Sequence, residues 1–186
     1  MRQLLRSASI AAVVCLAAVG CERSPNPERA SATPAAQPAA VAETITDEHS
    51  YAEPDKVRTT DLALDLAVDF ASKTLSGTAT YALEWLDRNA SQLVLDTRDI
   101  RVRKAEGLSA EGEWTTLEFA LADKDPILGN KLTIEAPEHP TQVRVTYATS
   151  PGASGLQWLE PSMTEGKQSP FMFSQSQQIH ARSWVP

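Results

Sequence analysis

The chain has 186 residues and a formal charge of −7, with 24 acidic and 17 basic side chains, two cysteines and three histidines. This acidic balance argues against a nucleic-acid partner, because such binders need a clustered basic face. Two cysteines cannot build a disulfide scaffold. His49, His139 and His180 lie far apart and form no His-x-x-x-His pair, which argues against a self-contained catalytic zinc site.

Residues 1–21 have the pattern of an export signal, in which a short basic start precedes an apolar run. The run ends in Ala18-Val-Gly-Cys21, and small residues before a cysteine resemble the lipobox of bacterial lipoproteins, with Ala18 where Leu is commoner. We therefore predict that Cys21 is acylated and attaches an exported protein, periplasmic or at the cell surface, to a lipid bilayer. The alternative is an ordinary signal peptide that is cut elsewhere and leaves Cys21 as a free thiol.

Residues 22–56 are predicted to be a disordered linker. This stretch is rich in Pro and Ala and has no apolar period, so it cannot bury enough apolar area to offset the cost of ordering the chain. Prolines also block both helices and strand ladders. A spacer between a membrane and a folded domain has this composition.

From residue 57 onwards, apolar residues alternate with polar ones. Leu62 to Phe70 reads as a half-buried strand whose other face carries Asp61, Asp65 and Asp69, and a turn at Ser72-Lys73 leads into a returning strand. Because Asp61, Asp65 and Asp69 recur every four residues on one strand face, they read as a solvated face rather than a calcium loop. Further short strands are predicted around residues 93–95, 100–103, 114–121, 132–134, 143–147 and 171–173. The strands at 132–134 and 143–147 are predicted to pair, and one turn region is predicted between Glu106-Gly107 and Glu111-Gly112.

This spacing predicts an all-β fold for residues 57–186, as a mixed or antiparallel saddle-like sheet or a sandwich. The chain stops just after Trp184 and Val185, two apolar residues with nothing following to cover them. We therefore expect residues 57–186 to be a domain truncated at its C-terminal end.

Three segments near the end of the chain carry a resemblance to a known family. Gly155-Leu-Gln-Trp158, Phe173-Ser-Gln-Ser-Gln177 and Ile179-His-Ala-Arg-Ser-Trp-Val-Pro186 resemble the N-terminal β domain of zinc aminopeptidases related to aminopeptidase N, and most closely the leukotriene-A(4) hydrolase branch. Family members continue with a Cys-x-Asp segment and, much later, a His-Glu-x-x-His zinc helix. This chain has no His-Glu pair, so the resemblance implies a fragment whose catalytic domain and zinc ligands lie elsewhere.

The resemblance also implies roles for Gln175, Gln177 and Gln178, which match a strand end that projects into the family's active-site cleft. Gln177 would contact the free amino end of a peptide substrate and Gln175 would assist, while Gln178 stands where the hydrolase branch usually has Ala. An amide binds an ammonium more weakly than a carboxylate does. From the pattern alone, the three glutamines read as a solvated strand end. His180 reads as a packed or hydrogen-bonded histidine, and Arg182 as a structural ion-pair partner.

The sequence therefore predicts the N-terminal part of an exported, lipid-anchored zinc metalloaminopeptidase, a hydrolase that removes N-terminal residues from peptides. Without the zinc motif, the 186-residue chain alone is predicted to be inactive. The alternative is a lipid-tethered β-sandwich binding module without enzymatic activity, which explains the signal, the linker and the strands but not the glutamines. Epoxide hydrolysis does not follow from this chain.

Overall fold

The computed structural model describes residues 47–186. The predicted signal peptide, Cys21 and residues 22–46 of the predicted linker lie outside the described residues. Residues 47–186 form ten β-strands and three single-turn 3₁₀ helices at Pro161–Met163, Glu165–Lys167 and Ala181–Ser183. The strands are β1 (Val57–Asp69), β2 (Thr74–Trp85), β3 (Gln92–Thr97), β4 (Arg101–Leu108), β5 (Trp114–Leu117), β6 (Phe119–Leu121), β7 (Asn130–Glu135), β8 (Gln142–Ala148), β9 (Leu156–Leu159) and β10 (Phe171–Ser174).

The strands form three sheets in which every neighbour pair is antiparallel. The large sheet has the order β1-β2-β8-β4-β5, the medium sheet β3-β7-β6, and the small sheet consists of β10 and β9. The all-β prediction is confirmed, and so is the hairpin of β1 and β2. The helices found within residues 47–186 are too short, and not apolar enough, to cross a bilayer.

One apolar core joins the large and medium sheets. Val143, Val145 and Tyr147 alternate along β8 and are fully buried, and the medium sheet contributes Leu132 and Ile134, which are also fully buried. The period of two sends these side chains to a single face of each strand. A second, smaller cluster is centred on Leu75, Ala153 and Leu156, with Leu66, Trp158, Met172 and Trp184 packed against it. The small sheet belongs to this second cluster.

Two local predictions were wrong. The strands predicted at 132–134 and 143–147 do not pair with each other, because β7 lies in the medium sheet and β8 in the large one. The turn region predicted between Glu106-Gly107 and Glu111-Gly112 is confirmed at residues 109–112, although 106–108 still belong to β4. The stretch from 114 to 121 is two strands, since β5 pairs with β4 whereas β6 pairs with β7.

The prediction that β1 is half-buried was also wrong, although its extent and register agree with the hairpin. Leu62, Leu64 and Val68 are 40–45 % exposed. The physical reason is position, since β1 is an edge strand of the large sheet and the medium sheet packs over the centre. The opposite face is solvated as predicted, with Asp61 and Asp65 exposed.

Candidate functional site

The small sheet places the three predicted glutamines. In its register Met172 lies opposite Trp158, and both pack on the small apolar cluster, whereas Phe171 and Phe173 are exposed. Residues 175–180 follow β10 as a loop and a turn that leads into the last 3₁₀ helix. The loop is therefore carried by a strand whose alternate side chains anchor it to the domain.

Hydrogen bonds fix the shape of this loop. The backbone N–H of Gln175 donates to the carbonyl oxygen of Gly155 at 2.8 Å, and the N–H of His180 donates to the carbonyl oxygen of Ser176 at 2.9 Å. Inside the loop, the N–H of Gln177 donates to Oε1 of Gln175 at 3.1 Å. Gln175 thus supports the backbone of its neighbour, and Gln177 is held through its backbone.

Gln175, Gln177 and Gln178 are all exposed, so the structure brings the predicted site residues together on one solvent-facing loop. Gln178 also lines an open cleft of about 490 Å³ whose other lining residues include Tyr81, Asp96 and Arg182. Chemically, the loop presents amide groups that can donate or accept hydrogen bonds without carrying charge.

Arg182 holds three separate segments together beneath this cleft. Its side chain is 7 % exposed, and its guanidinium donates to the carbonyl oxygens of Leu128 and His49, each at 2.7 Å. One nitrogen also lies 3.3 Å from Oδ2 of Asp96, which accepts a hydrogen bond from Ser50 Oγ at 2.6 Å. The prediction that Arg182 is a structural ion-pair partner is confirmed. The contacts of the domain therefore extend to residues 49–51, N-terminal to Val57.

Two tyrosines of the large sheet hold the last residues of the chain. The hydroxyl of Tyr147 donates to the carbonyl oxygen of Trp184 at 2.8 Å, and that of Tyr81 donates to the carbonyl oxygen of Pro186. Burial raises the pKa of both phenols well above the ordinary tyrosine range. Both groups therefore remain neutral hydrogen-bond donors at physiological pH.

The turn after the glutamines packs closely on the start of β9. Ser183 is fully buried, donates to the carbonyl oxygen of His180 at 2.7 Å and accepts from the N–H of Gly155 at 2.8 Å. His180 is hydrogen-bonded as predicted, with Nδ1 2.8 Å from Ser154 Oγ. A Cβ on Gly155 would meet the carbonyl oxygen of His180 at 2.6 Å, so only glycine allows this approach.

No metal-binding cluster is present in the described range. Across residues 47–186, side chains of His, Cys, Asp and Glu do not gather in threes at a distance that could hold an ion. These residues therefore do not fit a zinc ion.

The fold agrees with comparisons to known proteins. The profile of the peptidase M1 N-terminal domain matches residues 49–186. The chain belongs to the M1 peptidase family. Leucine aminopeptidase 2 of Yarrowia lipolytica is 37 % identical over 132 residues, which are 68 % of this chain. Leukotriene A-4 hydrolase of Xenopus laevis is 33 % identical over 147 residues, or 76 % of this chain.

A solved structure shares the architecture. Leukotriene A4 hydrolase from Saccharomyces cerevisiae superposes with a TM-score of 0.68 at 26 % identity, covering 81 % of this chain. The matched part is 23 % of that chain, and 19 % and 23 % of the two relatives above. This M1 chain thus spans about a fifth of the length of the relatives it matches, as an N-terminal fragment of an M1 aminopeptidase family protein.

Sequence reasoning missed the residues of this M1 domain that support the loop. Four residues hold the loop in shape, and none was predicted to have a role: Gly155, Ser176, Ser183 and Trp184. A glycine directly before an apolar strand was the available signal, since it marks a place where another backbone approaches closely. The partners of Ser176 and Ser183 had no signal, because a serine hydroxyl forms hydrogen bonds in any surroundings.

Proposed function

We propose that this chain is the N-terminal part of an exported, lipid-anchored zinc metalloaminopeptidase, in which residues 57–186 form one wall of the substrate cleft and Gln177 contacts the free amino end of a peptide. Membership of the M1 family supports the peptidase part of this proposal. The lipobox-like end of the apolar run at Cys21 supports export and lipid anchoring.

The observation that carries the cleft role is the loop itself. Gln177 is exposed, yet its backbone N–H is bonded to Gln175 and its neighbours are bonded to Gly155 and His180. An exposed polar group on a pre-ordered loop loses little conformational entropy when it binds a ligand. The Gln177 amide oxygen can accept a hydrogen bond from a substrate ammonium, and Gln178 would shape the adjoining surface.

Zinc, as the family resemblance implies, would polarise the scissile carbonyl and activate a water molecule. The described residues provide no ligand set for it. We therefore assign the metal ligands to the part of the longer protein that follows this chain. The role of residues 175–178 is to orient the amino end of the substrate. The reading frame that follows Pro186 tests this assignment, since it should contain Cys-x-Asp and then His-Glu-x-x-His; a binding module would lack both.

Gln177 can be tested in the longer protein with an aminoacyl-anilide substrate. A hydrogen bond to a charged group contributes about 1.5–3 kcal/mol, so Gln177→Ala should raise KM by about tenfold or more with kcat changed less. Gln177→Glu should lower KM, because both partners would then be charged. The matched control is Gln168→Ala, an exposed glutamine outside the loop. An unchanged KM in both Gln177 variants would remove this residue from the site.

The anchoring proposal has its own test. Mass spectrometry of the mature protein should show a diacylglyceryl group on Cys21 and no residues before it. A Cys21→Ser variant, which cannot form the thioether, should be released from the membrane fraction. An unmodified Cys21 in the mature protein would leave the peptidase proposal standing and end the anchoring proposal.

A further inference from the structure

One side-chain hydrogen bond joins the glutamine loop, residues 175–180, to the residue that follows the last 3₁₀ helix. The indole N–H of Trp184 donates to Ser176 Oγ at 3.1 Å. Ser176 stands between Gln175 and Gln177, so this bond acts on the residue directly before Gln177. The backbone N–H of Gln175 bonds to Gly155 at the start of the loop, and the N–H of His180 bonds to the carbonyl oxygen of Ser176, so the indole adds a side-chain restraint at a residue already bonded through its backbone.

Trp184 is itself firmly held. Its ring packs with Met172 against the small apolar cluster around Leu156. Its carbonyl oxygen accepts the hydrogen bond from the buried hydroxyl of Tyr147. The ring therefore has little freedom to move, and a donor on a fixed ring restrains its acceptor more than a donor on a mobile side chain does.

A second indole in the same cluster provides a contrast. Trp158 also packs on Leu156, but its Nε1 is buried and has no hydrogen-bond partner among residues 47–186. The two tryptophans thus share an apolar environment, and within the described residues Trp184 is the one that bonds to the loop. Packing alone does not require the N–H of Trp184, since the cluster already contains an indole whose N–H is unused.

We propose that Trp184 is a positioning residue, which holds Gln177 in place through its hydrogen bond to Ser176. This inference rests on the proposed contact between Gln177 and the substrate. The side chains of Ser176 and Trp184 are joined across residues 177–183, which comprise the turn and the last 3₁₀ helix. The bond restrains the backbone of Gln177. It thereby fixes the position from which the Gln177 side chain would reach the substrate ammonium.

The restraint can be measured on this chain by amide hydrogen exchange, without reference to catalysis. Trp184→Phe keeps a ring and removes the N–H, and Ser176→Ala removes the acceptor. Each should speed exchange at the N–H of Gln177 and of His180 by about fivefold, the effect of one net hydrogen bond. The double variant should be no faster than either single variant. Ser176→Thr, which keeps a hydroxyl, should restore slow exchange, and Trp158→Phe should leave exchange at these sites unchanged.

The functional consequence is measured in the longer protein. Trp184→Phe should raise KM for an aminoacyl-anilide while kcat changes little, and Trp158→Phe should change neither. Equal exchange rates in Trp184→Phe and Trp158→Phe would overturn the positioning role. If Gln177→Ala raises KM and Trp184→Phe does not, this inference fails and the proposed function stands. If neither variant raises KM while exchange responds as expected, the proposed contact at Gln177 fails.

Discussion

Arg182 offers a sharp test of how this domain is held together. Arg182→Met keeps most of the volume of the side chain but removes its donors. The carbonyl oxygens of Leu128 and His49 then lose their partner, and the Asp96 carboxylate, 17 % exposed, loses its cation. Removing one member of a buried ion pair costs about 3–5 kcal/mol, which is a large part of the about 5–15 kcal/mol that stabilises a typical domain.

Urea unfolding followed by tryptophan fluorescence measures this loss. With a slope of about 2 kcal/mol per molar, the midpoint should fall by about 2 M in Arg182→Met. Arg182→Lys should fall in between, because an ammonium keeps the charge but lacks the planar fork that reaches three oxygens.

The matched control is Lys124→Met. Nζ of Lys124 lies 2.7 Å from the Asp99 carboxylate, closer than the charges of Arg182 and Asp96, but both side chains are nearly half exposed. An exposed pair contributes about 0–1 kcal/mol, so the midpoint should move by less than about 0.5 M. Equal shifts in the Lys124 and Arg182 variants would show that burial does not set the value of these ion pairs.

Three further predictions concern packing, acid and alkali. Gly155→Ala should lower the free energy of unfolding by about 1–3 kcal/mol in urea titrations, because its Cβ would meet a backbone oxygen at 2.6 Å, whereas Gly152→Ala, whose nearest atom is 3.8 Å away, should be near neutral. The hydrogen bond from Lys104, followed by the pair with an arginine, lowers the pKa of Glu106. The Glu106 carboxylate therefore contributes stability above its unfolded pKa, and this contribution is lost as the pH falls. Between about pH 6 and pH 3 the thermal midpoint should fall less steeply in Glu106→Gln than in the unchanged chain, and parallel profiles would contradict this. Burial raises the pKa of Tyr147 and of Tyr81, so their phenolates should become visible in ultraviolet titrations only as the chain unfolds in alkali. Tyr147→Phe should reduce that late signal and leave the part that belongs to Tyr81.

Local pattern was enough to predict most of the strands, although not β9 or the break between β5 and β6. The alternation from Leu62 to Phe70 and the turn at residues 72–73 specify the β1–β2 hairpin, since both strands and their connection lie within one short stretch. The partner strands of β8 could not be predicted from local pattern. It pairs with β2 and β4, which are distant in sequence, and its neighbour along the chain, β7, turns to another sheet. The choice is made by burial in three dimensions, and two alternating strands look the same whichever sheet they join.

The candidate site, like the fold, was predicted only in part from the sequence. Residues 175–178 are polar and follow a strand, so sequence pattern alone predicts a solvated strand end, and the structure does place these residues in solvent. The family resemblance was needed to predict a functional role. The hydrogen bond between Ser176 and Trp184 could not be predicted from the sequence. It depends on the rotamer of the Trp184 ring, and a remote tyrosine fixes the position of that residue.

The final residues form hydrogen bonds with groups far earlier in the sequence, which has a consequence for biosynthesis. Arg182 is bonded to a carbonyl 133 positions earlier, and Pro186 to a hydroxyl 105 positions earlier. At a translation rate of about 5–20 residues per second, about 7–27 seconds separate the synthesis of His49 from that of Arg182. During this interval the nascent strands lack their hydrogen bonds to the final residues. The edge strand β1 also exposes leucines. Until its last turn is synthesised, this domain is thus exposed to aggregation through that edge.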